Sequence, residues 1–310
     1  MWQLLQVCHS EARIVSRLLY GNATLILYIF PVSVLSRLLS CPTSAAVSAG
    51  TLAKVAVHAA AFSLAFGYVF ELANQTPAAS VKEDRLNHPE RPIPSGLLSV
   101  EGARVRWLVS WLLAPLATAR LYGAPAAAYL IVWQVWVLIF YAWPRWRHWA
   151  SKSLFNGVSA LLALRIHDTI LSHLVPGWSL HGPGADLAIA AWILCTIHIQ
   201  DFCDIEGDRS AGRRTLPIVL DSSGRRVVRL STAAFYVVAG YCAIACAQIR
   251  HGRIDSVAAV TGFIHAAASL ILAGRTWRDN NKQMNKTTNC GYYYLAVFTL
   301  MVHLSRIFQT

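Results

Sequence analysis

The chain has 310 residues, of which 55% are apolar and only 14% charged, with a mean hydropathy of +0.45. Soluble domains carry about 25% charged residues, so this composition excludes a soluble globular protein, a disordered chain and a small disulfide scaffold. The net charge of +12 arises from 27 Lys and Arg against 15 Asp and Glu. The basic residues lie between apolar stretches, a pattern of membrane topology rather than of nucleic-acid binding.

Windows of about 20 apolar residues place nine transmembrane helices, at 18–39, 53–73, 107–121, 126–143, 155–174, 187–200, 227–249, 257–277 and 291–308. The runs are continuously apolar rather than alternating, which predicts an all-α integral membrane bundle and not a barrel. The third and sixth spans are short, so they are tilted, extended or broken. Short connections predict one domain over 1–310. No cleaved signal peptide is expected, because the first ten residues lack a basic stretch followed by an apolar core.

With a cytosolic N-terminus, twenty basic residues fall on the cytosolic side and five on the other: Arg37, Arg120, Arg250, Arg253 and Arg306. This asymmetry predicts a multi-pass protein, expected in the endoplasmic reticulum, with the N-terminus and the loops after the second and sixth spans cytosolic. On that topology Asn74 and Asn285 face the cytosol and Asn22 lies in or near the membrane, so none of the three Asn-x-Thr sites is expected to be glycosylated. The seven cysteines form no C-x-x-C pair. Cys242 and Cys246, one turn apart in an apolar helix, read as packing residues.

Seven of the fifteen acids sit in two loops on one face: Glu83, Asp84 and Glu90 after the second span, and Asp201, Asp204, Glu206 and Asp208 after the sixth. The loops resemble each other. Asp84-Arg85 precedes Arg91-Pro92-Ile93-Pro94, and Asp208-Arg209 precedes Arg214-Thr215-Leu216-Pro217. Two halves facing a shared site account for this, as does chance likeness of short polar loops.

The second loop carries the sharper signal. If the sixth helix continues through it, Asp201, Asp204 and Asp208 stand at i, i+3 and i+7 on one face. Carboxylates that close repel unless a cation sits among them, and hard oxygen ligands suit Mg²⁺, which bridges carboxylates to substrate phosphates. Arg209, Arg213 and Arg214 follow at once as phosphate donors. In the first loop Asn74, Glu83, Asp84 and Asn87 supply oxygens and Arg91 a phosphate donor, while Pro89, Pro92 and Pro94 stop a helix from continuing. Lys152, after the fourth span, is either a third cationic contact or an interfacial anchor. The plain alternative for both loops is a solvated charged surface.

On these residues the chain resembles the UbiA superfamily of intramembrane prenyltransferases, and within it the fungal UbiA-type terpene cyclases. The resemblance rests on Asn74-Gln75, Asp84, Asn87 and Arg91 to Gly96, and on Gln200-Asp201, Asp204, Gly207-Asp208, Gly212-Arg213 and Thr215-Leu216-Pro217. It covers nearly the whole chain. It implies that Asp84, Asp201, Asp204 and Asp208 are catalytic, that Asn74, Glu83 and these acids hold Mg²⁺, and that Asn74, Asn87, Arg91, Lys152, Arg213 and Arg214 bind an isoprenyl diphosphate. The implied reaction is ionisation of a farnesyl or geranylgeranyl diphosphate and cyclisation, or transfer to an aromatic acceptor, above an apolar chamber open to the bilayer. No protein partner is implied. One departure stands out: the family's first motif runs Asn-x-x-x-Asp-x-x-x-Asp, whereas Ala78 and Lys82 occupy those acid positions here. Either Asp84 takes the last ligand's place, or the first metal site is weaker.

Eleven each of Trp, Tyr and Phe supply faces for cation–π stabilisation, although most line the lipid interface or the core. Arg165, His167 and Asp168 lie within the fifth span, where ionisable groups are paired or functional. An Arg165–Asp168 pair at i, i+3 and a cavity lining are both open readings. His58 and His265, also within spans, read as packing or helix–helix hydrogen-bonding residues.

Overall fold

The computed structural model describes residues 2–20, 30–40, 48–141, 148–178, 182–249, 256–278 and 281–308. Asn22, Cys41, Trp143, Arg145, Arg147, Arg250, Arg253 and the middle of the first predicted span lie outside them. Among the described residues every regular element is a helix: α1 (Trp2–Tyr20), α2 (Phe30–Ser40), α3 (Ala49–Gln75), α4 (Ala78–Asn87), α5 (Val100–Tyr122), α6 (Ala124–Tyr141), α7 (Ser151–Leu174), α8 (Gly184–Thr196), α9 (Ile205–Ser210), α10 (Leu216–Val219), α11 (Ser222–Ile249), α12 (Ser256–Trp277), α13 (Lys282–Thr287) and α14 (Tyr294–Ile307). Among them, five segments are both long and apolar enough to cross a membrane: α3, α7, Gly184–Phe202, α11 and α12. The count of nine spans therefore stands as an expectation.

Local chemistry sets the boundaries. The Ser48 and Ser99 hydroxyls accept from the backbone N–H of Thr51 and Gly102, capping α3 and α5. Pro77, which has no N–H to donate, separates α3 from α4 in an extended conformation. The expected continuation of the sixth span as one α-helix does not occur. α8 ends at Thr196, a 3-10 turn runs Ile197–Phe202, and α9 restarts at Ile205. The tighter winding of the 3-10 turn breaks the shared face of Asp201, Asp204 and Asp208.

Three apolar clusters fill the bundle, the smallest joining Ile14 and Leu18 of α1 to Leu72, Ile93, Leu98 and Ala103. Of the two larger, one unites α2, α3, α5, α6 and α7 around Phe62, Phe66, Trp133 and Phe155; the other unites α7, α8, α11, α12 and α14 around Trp192, Tyr236, Tyr293 and Leu300. The helix α7 belongs to both, with Ile166 in the first and Leu164 in the second. Cys242 and Cys246 are exposed on α11 rather than packed inside. A small apolar thiol facing hydrocarbon needs no partner.

At one end of α7, charges are buried together. Arg37 contacts Asp168 at 3.0 Å and also bonds Asp186, while Arg165 lies 3.4 Å from Asp168 and 3.2 Å from Asp186. Trp178 Nε1 donates to Asp168 at 3.2 Å. The Arg165–Asp168 pairing is thus one edge of a neutral quartet joining α2, α7 and α8. Desolvating one such charge costs several kcal/mol, and removing its partner leaves that cost uncompensated. Asp168→Asn should destabilise the protein by about 3–5 kcal/mol, read as a large fall in the detergent unfolding temperature.

Candidate functional site

The opposite end of α7 begins beside Lys152, sixteen residues before Asp168 and therefore about 24 Å along the helix. Here the two acid loops meet, because α4 docks directly on α9. The contact requires Gly207: a Cβ there would lie 2.0 Å from Asn87 Nδ2 and 2.9 Å from Glu83 Cγ. Beyond α9, Gly212 turns the chain with φ +70, a conformation open to glycine. The Arg213 N–H then donates to the Asp208 carbonyl at 2.9 Å.

That turn aims Arg213 across the junction. Its guanidinium lies 2.5 Å from Glu83 and 3.3 Å from Asp208, and donates to Ser80 Oγ at 3.4 Å. One arginine therefore clasps both loops. Arg91 pairs with Asp84 at 2.7 Å within the first loop, and Lys152 reaches Asp201 from α7 at 2.7 Å. Lys282, at the start of α13, lies 3.5 Å from Asn87 and 3.6 Å from Glu206. Asp84, Asp201 and Asp208 are almost wholly buried, at 2%, 1% and 0% exposure, so each needs its cation.

Burial pushes the Glu83 carboxyl up to about 7 despite the opposing Arg213 and Lys152 charges. Burial likewise lowers His88, and Arg91 beside it adds to the effect. Both shifts mark a junction that excludes water.

The predicted residues divide. Glu83, Asp84, Arg91, Lys152, Asp201, Asp208 and Arg213 come together in these pairs. Asn87 packs against Gly207, Asn74 sits half-buried near the end of α3, and Asp204 is half-buried at the start of α9. Arg214 is exposed and joins none of the pairs. Ala78 and Lys82, at the family's acid positions, are exposed, while Glu83 and Asp84 turn inward. Glu71 was missed. It is fully buried and accepts from Gln75 Nε2 at 2.9 Å, and Gln75 also donates to the Leu18 carbonyl at 3.5 Å. A lone acid inside an apolar span, four residues before a glutamine, was the available signal.

Among the described residues no three acidic, histidine or cysteine side chains converge on one metal position. Each carboxylate instead takes a cationic neighbour. The donor set nonetheless suits Mg²⁺. Asp84 Oδ2 and Asp208 Oδ2 are buried oxygens with no hydrogen-bond partner among the described residues, and hard oxygens are what this ion selects.

The architecture defines a helical bundle with membrane-spanning character and a cation-lined carboxylate junction at one end. The UbiA prenyltransferase family model matches residues 38–298, and the chain belongs to that family. It is 28% identical over 240 residues to the diterpene cyclase eriG of Hericium erinaceus, covering 75% of this chain and 70% of that one. It is also 28% identical over 242 residues to the polyprenyl transferase eriF of the same organism, covering 76% and 75%. The Somaliensene A/B synthase of Streptomyces somaliensis is 31% identical over 205 residues, 64% of this chain and 61% of the relative. A UbiA homolog from Archaeoglobus fulgidus, solved with GPP and Mg²⁺, shares the fold with a TM-score of 0.58 over 93% of this chain and 99% of its own, at 16% identity.

The Gly207 contact yields a direct test. Gly207→Ala should force α4 from α9 and cost about 1–3 kcal/mol, measured by thermal unfolding in detergent. Gly274→Ala, where an added Cβ meets nothing within 4 Å, should not lower the unfolding temperature, since alanine favours the helix interior over glycine.

Proposed function

We propose that residues 1–310 form a single catalytic domain that ionises an isoprenyl diphosphate of farnesyl or geranylgeranyl length and cyclises it to a terpene hydrocarbon. The observation that carries this reading is the junction in which Arg213 clasps Glu83 and Asp208 while Lys152 and Arg91 hold Asp201 and Asp84. The GPP- and Mg²⁺-bound homolog with the same fold supports the substrate class.

Asn74, Glu83, Asp84, Asp201, Asp204 and Asp208 would hold Mg²⁺. When bound, the ion neutralises charge on the diphosphate oxygens and stabilises the leaving group. Arg91, Lys152 and Arg213, with Asn87 and Arg214 at the rim, orient the diphosphate by charge-assisted hydrogen bonds. The C1–O bond breaks with its electron pair leaving on pyrophosphate, and the donors stabilise that growing charge. The allylic cation then meets aromatic faces just inside the bundle. Phe70, four residues before Asn74, stacks on Phe155 at 5.9 Å, and Phe155, three residues after Lys152, lies 5.3 Å from Phe140. Beyond them Phe66 stacks on Trp133 at 3.8 Å. Such faces attract a desolvated cation, and the apolar helices keep water from it. An alkene of the same chain captures the cation, and the final proton passes to pyrophosphate.

Transfer to an aromatic acceptor is the second reading, favoured by the likeness to a polyprenyl transferase. An acceptor needs a polar group to bind and deprotonate it. Four of the polar groups within the spans are already engaged: His58 with the Tyr122 hydroxyl at 3.0 Å, His265 with Thr299 at 3.0 Å, and Arg165 and Asp168 with each other. This pairing supports cyclisation. Purified protein given Mg²⁺ and a C15 or C20 diphosphate alone should therefore release pyrophosphate and a cyclic hydrocarbon, detected by mass spectrometry. Linear alcohols alone, until an aromatic acceptor is added, would establish transfer instead. Chelation should abolish turnover, and Asp201→Ala or Asp204→Ala should cut pyrophosphate release by at least about a hundredfold with the fold intact.

The site end is proposed to face the cytosol from an endoplasmic reticulum membrane. Ala79 and Ser222 are exposed near it, so cysteines placed there should react with an impermeant reagent from the cytosolic side only.

A further inference from the structure

Arg229, about two turns into α11, is one of the basic residues that follow the sixth expected span, yet it is buried, at 5% exposure, rather than solvated. A guanidinium carries five N–H donors in a fixed fork, and in apolar surroundings they need acceptors. Its Nη1 donates to the carbonyls of Thr276 and Arg278 at 3.3 and 3.2 Å, where the end of α12 leaves carbonyls without partners inside the helix. Its Nη2 donates to Asn285 Oδ1 of α13 at 3.2 Å. The guanidinium carbon lies 4.1 Å from the centre of the Phe202 ring, a cation–π distance. One side chain thus gathers α11, α12, α13 and the 3-10 turn Ile197–Phe202.

Asn285 completes the arrangement. It heads one of the Asn-x-Thr triplets, but it is buried, with its oxygen on Arg229 and its Nδ2 donating to the Phe202 carbonyl at 3.5 Å. Phe202 is therefore held twice, by its ring and by its carbonyl. The start of the same turn is tied to α11 as well. The Thr232 hydroxyl donates to the Val228 carbonyl at 2.7 Å, so His198 Nε2 is the donor across the 2.9 Å that join it to Thr232. Thr232 lies three residues after Arg229, on the same face of the helix. Between these two ties stands Asp201, next to Phe202 and 2.7 Å from Lys152. The chain here is tightly wound: the Cys203 N–H donates to the Gln200 carbonyl at 3.0 Å and the Asp204 N–H to the Asp201 carbonyl at 3.2 Å. A displacement of Phe202 therefore moves both acids.

We propose that Arg229 and Asn285 are positioning residues that, through Phe202, aim Asp201 and Asp204 at the carboxylate junction and so set its affinity for a divalent cation. Groups that orient metal ligands typically change metal affinity by about 10–100-fold. The effect on the cation rests on the proposed function; the hold on the turn does not.

Two measurements on the full chain in detergent separate these. In metal-free protein, Cys203, buried beside Phe202, reports the turn through its reaction with N-ethylmaleimide, followed by peptide mass spectrometry. Arg229→Gln and Asn285→Asp should each speed that reaction at least about tenfold. Paramagnetic resonance titration with Mn²⁺ and inorganic pyrophosphate should show the Mn²⁺ Kd raised at least about tenfold by Arg229→Gln and about threefold by Asn285→Asp. Asn285→Asp gives Arg229 a carboxylate partner while setting an oxygen against the Phe202 carbonyl. It should keep the unfolding temperature and still weaken Mn²⁺ binding, a combination that a purely stabilising role does not produce. Arg226→Gln, exposed on the same helix, should change neither reading. Cys203 rates equal to wild type in both variants would overturn the inference, as would unchanged Mn²⁺ affinity in both when the wild type binds the ion. Absence of Mn²⁺ uptake by the wild type would instead overturn the proposed function, and the Cys203 rates would then decide the hold on the turn.

Discussion

The constraint on which this structure depends is the cost of holding ionised carboxylates where water is scarce. An apolar bundle has little polar surface with which to solvate them, so every buried acid must be met by a cation or a donor. Arg213 answers this for two loops at once, since its guanidinium bridges Glu83 of α4 and Asp208 of α9. Without that bridge the two acids would face each other across Gly207 in a contact too close for any other residue. The position of α4 on α9, and with it the whole carboxylate junction, follows from one arginine and one missing Cβ.

Much of this was legible in the chain itself. Continuous apolar runs carry the helices, and clustered acids followed by arginines and prolines mark the loops where the runs stop. Asp84, Asp201, Asp208, Arg91, Lys152 and Arg213 were singled out by residue type and spacing, and the fold brings them together. What escaped was pairing across long separations. Arg37 looked like an ordinary flanking charge, yet it bonds Asp186, 149 residues away. Nor does local spacing reveal a 3-10 turn at Ile197–Phe202, because its alternating apolar and polar residues fit the end of an α-helical span equally well. Burial decided the ambiguous positions. Lys82 and Ala78 turn outward and Glu83 and Asp84 inward, so the acids that depart from the family's spacing still reach the junction.

The helix α7 ties two kinds of electrostatic cluster to one rigid element. At the far end, two arginines and two aspartates balance, and the quartet joins three helices. At the near end, Glu83, Asp84, Asp201 and Asp208 outnumber Arg91, Lys152 and Arg213. Burial raises the Glu83 carboxyl against the pull of Arg213 and Lys152, and Asp84 and Asp208 each keep an oxygen without a donor among the described residues. A balanced cluster stabilises a single arrangement. An unbalanced one leaves capacity for a further cation.

On the proposed function, this division would separate stability from ligand response along one helix. Breaking a pair in the neutral quartet strands a charge in an apolar interior, so nothing that binds at the near end can exchange with it. At the near end every cation has two possible uses. Lys152 and Arg213 neutralise acids in the protein alone, and an anionic ligand arriving with its own counterion would compete for those same nitrogens while the counterion takes over the acids. The exchange conserves paired charges, so its free-energy cost is small compared with exposing a bare carboxylate. If the junction binds the proposed diphosphate, pairs that exchange in this way would let it stay folded without ligand as well. The fixed quartet, about 24 Å away along α7, holds the helices in place while it does.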